Sequence, residues 1–309
     1  MIRVQRALGA LLLFAAGASA QDAVDARIRL AAGDAFELRR VAAAEIKQTL
    51  PTGEAQTIRR EIDARHDVEV VSVREDGAFE IKVTWARFVS SQESTASTYE
   101  FDTAQDKDSK EAVPQFLMAL AGRGFTAVLS PDGSVSEVKG AAEEAAAAIE
   151  TLPAMKLPAA APAKAALLSE YSNEQIGNQL EAVFRTLPPS PVEPGATWTI
   201  EHRLGGSLPM VATNTYTLSE VGDGAIVLSL EGAIASNDAA PPVNVNGVPI
   251  RTSVAGSQKG TVELSPASGL PVKATIEGAL TGESVTGGQL VIPIERTNKI
   301  TVTTTPKAK

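Results

Sequence analysis

The chain offers few side chains that could carry out acid–base or metal chemistry. It contains two histidines, His66 and His202, and no cysteine. Thiolate metal sites, disulfides and cysteine nucleophiles are therefore excluded. Neither histidine has a partner at the spacing of a zinc site, and no HExxH, GxSxG or glycine-rich phosphate loop is present. We expect both histidines to face solvent on strands, and we predict no catalytic, cofactor-binding or metal-binding residue and no enzyme activity.

Carboxylates occur in pairs that could in principle serve general acid–base catalysis or bind calcium. Glu143-Glu144 and Asp106/Asp108 lie in polar stretches, where charged runs are typical of a solvated surface. The segment 102–111 lacks the central glycine and the final glutamate of a calcium-binding EF-hand loop. The sequence therefore predicts neither chemistry at these positions, and it leaves the ligand-binding residues unidentified.

The first twenty residues have the pattern of a signal peptide. Arg3 and Arg6 precede the apolar run 7–16, and the small residues 18–20 lead into Gln21. A retained membrane anchor is the alternative, but the run is too short to span a hydrocarbon core of about 30 Å. We therefore expect cleavage near Ala20/Gln21 and a periplasmic or secreted protein without a transmembrane segment.

The mature chain is acidic. The formal net charge of the full sequence is −9, and removal of the two leader arginines makes it more negative by two. A basic stripe is the usual requirement for binding nucleic acid or an anionic membrane surface. We therefore expect no nucleic-acid partner.

Three landmarks recur in the same order in two halves of the chain, which predicts an internal duplication. They are a Gly followed three residues later by an aromatic (Gly33 and Gly195), an Asp-Gly-Ala turn (76–78 and 223–225), and a Leu-Ser-Pro turn (129–131 and 264–266). The resulting division is a signal peptide at 1–20, a first β half at 21–140, a helical and proline-rich connection at 141–190, and a second β half at 191–309.

Between these landmarks the apolar residues alternate with polar ones. Phe79, Ile81, Val83 and Trp85 fall on one face of a predicted strand. The same pattern recurs at three further groups of positions: 226/228/230, 262/264 with 272/274/276, and 290/292/294. A period of two with one polar face predicts antiparallel strands that are half in water. Asp76-Gly77 and Asp223-Gly224 predict hairpins with type I′ turns, which need a positive φ at both positions.

Helices are predicted where they can cover the apolar face of such a sheet. One spans Gly140–Leu152, another opens at Ser172 with a Gln175 capping box and stops before Pro188, and a third spans Lys110–Leu120. The second carries one apolar stripe, formed by Ile176, Leu180, Val183, Phe184 and Leu187. Residues 153–163 hold three prolines and predict a stiff extended connection.

The predicted fold is α+β and mainly antiparallel β, with two related curved sheets, half-barrel or sandwich-like, and helices of the middle segment on an apolar face. The order of parts resembles a family of bacterial exported and lipid-anchored proteins known only as a domain of unknown function. The pieces that carry the resemblance are GRGFTAVLSPDGSVSEVKG, PGATWT and GTVELSPASGLPVKATIEG. Many members have a lipid-anchoring cysteine after the leader, where this chain has Gln21. The resemblance supports the boundaries and implies no functional residues.

Two functional hypotheses follow from one-faced strands, a helical cover and the scarcity of catalytic groups. The first is a non-catalytic periplasmic binding or carrier module for an apolar ligand; its architecture is broadly similar to half-barrel carriers of lipoproteins, which is weak support for function. The alternative is a structural or protein-interaction component of the cell envelope, with an envelope protein as partner. In that case the C-terminal strand TNKITVTTT would be an edge that pairs with another chain.

Overall fold

The structure is a computed structural model and describes seven stretches of the chain: 23–50, 52–95, 97–157, 160–205, 209–240, 242–245 and 248–307. The predicted leader and its cleavage site lie outside the described residues. The first half contributes β1 (Ala35–Thr49), β2 (Ala55–Val73), β3 (Phe79–Glu93), β4 (Thr98–Asp102), β5 (Gly124–Leu129) and β6 (Val135–Lys139). The second half contributes β7 (Thr197–Leu204), β8 (Met210–Val221), β9 (Ile226–Ser236), β10 (Val243–Val245), β11 (Val248–Leu264), β12 (Pro271–Thr286) and β13 (Leu290–Pro306).

All the described strands belong to one antiparallel sheet. Its order is β6-β5-β3-β2-β1-β13-β12-β11-β9-β8-β7, with β4 paired to β3 and β10 paired to β11. This confirms the predicted α+β class. The two related sheets of the prediction are the two arms of a single open half-barrel, and the pairing of β1 with β13 joins them. The C-terminal strand was wrongly predicted to be an edge, because β13 is paired on both sides.

The two arms repeat one strand order. The series β1-β2-β3-β5-β6 matches β7-β8-β9-β11-β12, and β13 fills the place between the copies. Gly33 donates a backbone hydrogen bond to Val70 on β2 at 2.8 Å, and Gly195 donates one to Leu218 on β8 at 2.8 Å. A shift in strand register directly follows the acceptor residue in both arms. These shared details support the predicted duplication.

The hairpin turns differ from the predicted type I′ geometry. Gly77 has φ of 84°, but Asp76 is not among the described residues with positive φ. The Asp76 carboxylate instead accepts a hydrogen bond from the backbone of Ala78 at 3.0 Å. A left-handed glycine after a right-handed turn is the alternative hairpin solution. At Asp223-Gly224 neither residue has a positive φ.

Four helices occur in the described residues: α1 (Ala112–Leu120), α2 (Ala141–Glu150), α3 (Ala161–Glu170) and α4 (Asn173–Phe184). The side chain of Ser172 caps α4 by accepting from Gln175 N at 3.3 Å, as predicted. The extended connection predicted at 153–163 is wrong, because a 3₁₀ turn occupies Pro153–Lys156 and α3 starts at Ala161. Proline lies in the first turn of α3, where it has no helical hydrogen bond to lose.

The helices cover one face of the sheet, which we call the inner face. Phe36 and Leu38 on β1 point to this face, and the Phe36 ring meets the Phe184 ring of α4 edge-on. The core also takes in Trp85 and the predicted stripe of α4, and it draws buried side chains from both halves, so the two arms share one core. Val272, predicted to face inward, is exposed because it is the extra residue of a bulge in β12.

Helix α4 spans the gap between the two edges of the sheet. It packs against both edge strands, β6 and β7. The carboxylate of Glu181 accepts the edge hydrogen bond of Val135 N on β6 at 3.1 Å, and the Trp198 indole on β7 donates to Thr186 O at 3.2 Å, just after the helix. Helix α4 therefore occupies the place that a closing strand would take in a complete barrel.

The contact of the β5–β6 turn with the end of α4 predicts a stability difference between two glycines. Gly133 has φ of 86°, and a Cβ there would clash with the carbonyl group of Phe184, whereas a Cβ on Gly224 would meet no atom within 4 Å. We expect Gly133→Ala to lower the free energy of unfolding by about 2–4 kcal/mol. The matched Gly224→Ala should change it by less than about 0.5 kcal/mol. Urea unfolding of both variants tests this, and equal stabilities would contradict the packing described.

Candidate functional site

His202 lies on the inner face, contrary to the prediction that it faces solvent. Only 2% of the residue is exposed. Strand β7 points Trp198, Ile200, His202 and Leu204 to the same side, because these positions share one parity and Trp198 packs on the core. The histidine is therefore carried inward by the apolar residues on either side of it.

A short polar network surrounds His202. Its Nε2 lies 3.3 Å from the hydroxyl oxygen of Tyr216, which also accepts from Asn214 Nδ2 at 3.5 Å. Asn214 Oδ1 accepts a hydrogen bond from Gln258 Nε2 at 2.7 Å. Burial lowers the pKa of His202 to about 4, with a smaller contribution from the charge of Arg185. No carboxylate is hydrogen-bonded to this histidine within the described residues, so the network fits cross-linking of the strands better than proton transfer.

His66 is also on the inner face and half-buried, which again contradicts the predicted exposure. Its Nδ1 lies 3.4 Å from Leu38 O, and its ring meets Phe88 edge-on at 6.5 Å. Burial lowers the pKa of His66 to about 4, and the hydrogen bond to the carbonyl oxygen of Leu38 opposes this only in part. Six strands separate β2 from β7 in the sheet, so the structure does not bring the two histidines together.

The carboxylates singled out in the sequence have structural partners. Glu144 accepts from Arg123 Nη1 at 2.7 Å, and Asp106 accepts from the backbone of Asp102 at 2.7 Å. Asp132 accepts from Ser134 in the β5–β6 turn. Across the described stretches, no group of three or more His, Cys, Asp or Glu side chains could hold a metal ion.

An open groove of about 1290 Å³ crosses the outer face of the sheet, opposite the helices. Several of its charged side chains are paired with each other. Arg59 Nε lies 3.0 Å from Glu45 Oε2 on β1, and Lys299 Nζ lies 2.9 Å from Glu277 Oε1. A smaller cavity of about 430 Å³ lies among the turns at the far end of β8 to β12. No helix residue lines either of these two cavities, so neither lies under the helical cover.

Three arginines point to the inner face from the three middle strands, and we call them the inner arginine cluster. Arg40 lies on β1, Arg60 on β2 opposite Ala44, and Arg296 on β13 opposite Ile46. In the described part of the chain, none of the three guanidinium groups has a carboxylate within ion-pair distance. Arg296 Nε is buried and lacks a hydrogen-bond partner among the same residues.

The end of helix α3 faces the inner arginine cluster. Tyr171, the residue after the helix, packs its ring on Trp85 and Phe116, which fixes the position of Glu170. Glu170 is solvent-exposed but lies within the concave face of the sheet. Restricted hydration there raises the pKa of its carboxyl group, and the charges of the arginines, which lower that pKa, are the smaller effect. Burial likewise lowers the pKa of Arg40, and burial with repulsion from Arg60 and Arg40 lowers that of Arg296.

Sequence reasoning missed this cluster. Its members are far apart in the chain, and each looks like an ordinary polar residue of an alternating strand. The parity of each position would have placed it on the apolar face, since Arg40 follows Phe36 and Leu38 in the same alternation. What the sequence could not supply is the pairing of β1 with β13, which brings Arg296 beside the other two.

Comparison with known proteins places the chain in a family. The family model matches residues 76–271, from the turn before β3 to the first residue of β12. The chain belongs to the family of unknown function DUF6263. This confirms the expected resemblance to a domain of unknown function, and the match to DUF6263 carries no information about export. No curated protein matches the chain.

Three solved structures align with the chain at low similarity. A lipovitellin structure concerned with lipid–protein interactions aligns at TM-score 0.45 and 10% identity, over 91% of this chain and 26% of that chain. An outer membrane channel from Pseudomonas putida F1 aligns at TM-score 0.28 and 9% identity, over 90% and 97%. OccK7 (OpdD) of Pseudomonas aeruginosa aligns at TM-score 0.23 and 9% identity, over 89% of this chain and 100% of that chain. The chain spans about a quarter of the lipovitellin chain, and at these scores none of the three carries an argument about function.

Within the described stretches, no helix combines the length and apolarity needed to cross a bilayer.

The lowered pKa values of the two histidines predict a loss of stability in mild acid. Each histidine binds a proton below about pH 6.5 in the unfolded chain but only near pH 4 in the folded one. The free energy of unfolding is therefore highest above pH 6.5. It falls as the pH decreases toward 4, by up to about 1.4 kcal/mol per pH unit for each histidine. Urea unfolding at pH 7, 6 and 5 should show this slope, and His202→Gln and His66→Gln should each reduce it. A slope that neither variant changes would contradict the buried, neutral state of these side chains.

Proposed function

We propose that this protein is a non-catalytic carrier that holds an apolar ligand on the inner face of the half-barrel, beyond the helical cover. The observation that carries the proposal is the uneven covering of that face. The helices pack mainly on β3, β5, β6 and β7, near the edges of the sheet. The middle strands β1, β2 and β11 to β13 continue past them, and none is a main contact of a described helix.

The uncovered part of the inner face carries an apolar patch at the far ends of the middle strands. Ile46 on β1 and Ile58 on β2 are directly opposite each other, and Ile292 and Ile294 continue the surface on β13. All four are only half-buried, although branched aliphatic side chains stabilise a fold most when they are fully removed from water. An apolar ligand on this surface would complete their burial.

Glycines keep part of this face free of side chains. Gly256 and Gly260 on β11 and Gly278 and Gly282 on β12 all point inward in the strand pairing. A Cβ at Gly256, Gly260 or Gly282 would clash with the backbone of the neighbouring strand, as expected where a sheet is bent tightly. The same residues that let the sheet curve therefore leave room on its concave side.

The outer groove is the weaker candidate for a ligand site. Five of its charged side chains are already paired with one another, and a binding site for an apolar molecule is expected to be lined mostly by apolar groups. The leader pattern of residues 1–20 supports a periplasmic or secreted carrier, cleaved near Ala20/Gln21. In this proposal the carrier has two partners. The first is the apolar small molecule that it binds, and the second is an envelope protein that receives this molecule.

Adjacent alanines on β1 provide a matched test. Ala44 points to the inner face and Ala43 to the outer one. We expect Ala44→Trp to abolish the uptake of an apolar fluorescent probe by occupying the inner surface, and Ala43→Trp to leave it unchanged. Fluorescence titration measures uptake, and native mass spectrometry of protein purified from the periplasm should show a co-purifying lipid. Loss of uptake in Ala43→Trp alone would assign the ligand to the outer groove, and no uptake by the unaltered protein would refute the carrier function.

A further inference from the structure

The inner arginine cluster carries positive charge that the fold does not neutralise. Three guanidinium groups face one carboxylate, that of Glu170, and none of the three arginines forms an ion pair in the described residues. The outer face behaves differently, since Arg59, the neighbour of Arg60 on β2, is bound to both Glu45 and Glu93. Of these two adjacent residues, Arg59 is therefore paired on the outer face, whereas Arg60 on the inner face has no ion pair among the described residues.

The inner arginine cluster lies at the boundary between the helix-covered part and the uncovered part of the inner face. Arg40 lies next to the helix-covered core at Leu38, and Arg296 pairs with Ile46, where the uncovered apolar surface begins. Guanidinium groups bind carboxylate and phosphate oxygens through paired hydrogen bonds. A ligand that contacts both the cluster and the isoleucines must therefore carry an anionic group at the end of an apolar chain.

We propose that Arg40, Arg60 and Arg296 bind the anionic head group, a carboxylate or a phosphate, of a long-chain amphiphile whose chain lies on the inner face along Ile46, Ile58 and Ile294. This inference rests on the carrier function proposed above and names the chemistry of its ligand. The buried Arg296 Nε, which lacks a partner among the described residues, donates to the head group. Glu170 stands beside the site as the internal anion with which the ligand competes.

Helix α3 is the part of the cover best suited to give way to a ligand. Among its residues with a described exposure none is fully buried, whereas α1, α2 and α4 each bury four side chains. The Glu170 carboxylate at its end accepts only a weak hydrogen bond, from Gln179 Nε2 at 3.3 Å. Rotation of the Glu170 side chain away from the arginines therefore breaks only this weak hydrogen bond, while the ring contacts of Tyr171 stay in place.

The test compares dodecanoate with dodecanol, which has the same chain and no charge, by isothermal titration of the intact protein. We expect dodecanoate to bind at least tenfold more tightly than dodecanol. Arg60→Gln and Arg296→Gln should each weaken dodecanoate binding on the order of tenfold, as loss of a charge-assisted hydrogen bond does, and leave dodecanol binding unchanged. Arg59→Gln, on the opposite face, should alter neither. Glu170→Gln should strengthen dodecanoate binding severalfold.

The outcomes separate this inference from the proposed function. Equal affinities for dodecanoate and dodecanol, or arginine variants that bind both as the unaltered protein does, would overturn the anion site and leave the carrier function standing. Binding of neither compound would refute both. Inorganic phosphate that binds as tightly as dodecanoate would show a site for free anions and would overturn the assignment to an amphiphile. Arg60 is exposed on the inner face, so its substitution leaves the core intact.

Discussion

The pairing of β1 with β13 is the interaction on which the rest of the molecule depends. Thirteen consecutive residue pairs, from Phe36 opposite Pro306 to Gln48 opposite Ile294, join the first strand of one repeat to the strand that ends the other. Without them the chain would form two separate arms, of five and six strands along the sheet order, each with a long uncovered edge, which is a template for aggregation. With them it forms one sheet whose strand order ends at the short strands β6 and β7, and α4 packs against both.

The same pairing creates the functional surface. Because β1 lies between β2 and β13, Arg60 and Arg296 are brought to either side of the strand that carries Arg40. Charge of one sign that is partly desolvated and unpaired is costly to a fold, whereas on the outer face of the same strands Arg39 is paired with Asp63 and Arg59 with Glu45. A cluster of like charges that departs from this rule is expected at a functional site.

Much of the architecture could be predicted from local patterns. The strand alternation, the repeated landmarks and the Ser172 cap of α4 each follow from a few neighbouring residues, and they gave the fold class and the main helices. Local patterns failed where distant parts of the chain decide the outcome. The edge character predicted for β13 was wrong because its partner lies more than two hundred residues away in the sequence.

The errors at individual residues have similar causes. His202 was expected in solvent because its neighbours Glu201 and Arg203 are charged, but in a strand the residues two positions away share its face. Helix α3 was missed because the proline in its first turn, together with the two that precede the helix, resembles the pattern of an extended linker. The inner arginine cluster requires the register of three strands at once, and no single stretch of sequence contains it.

Amide hydrogen exchange on the intact protein tests the central pairing most directly. If β1 and β13 join the two repeats into one cooperative sheet, their amides should exchange as slowly as those of β2 and β12, and all four strands should open together as urea is added. Rapid exchange in β13 while β2 and β3 stay protected, or separate opening of the two arms, would contradict the account.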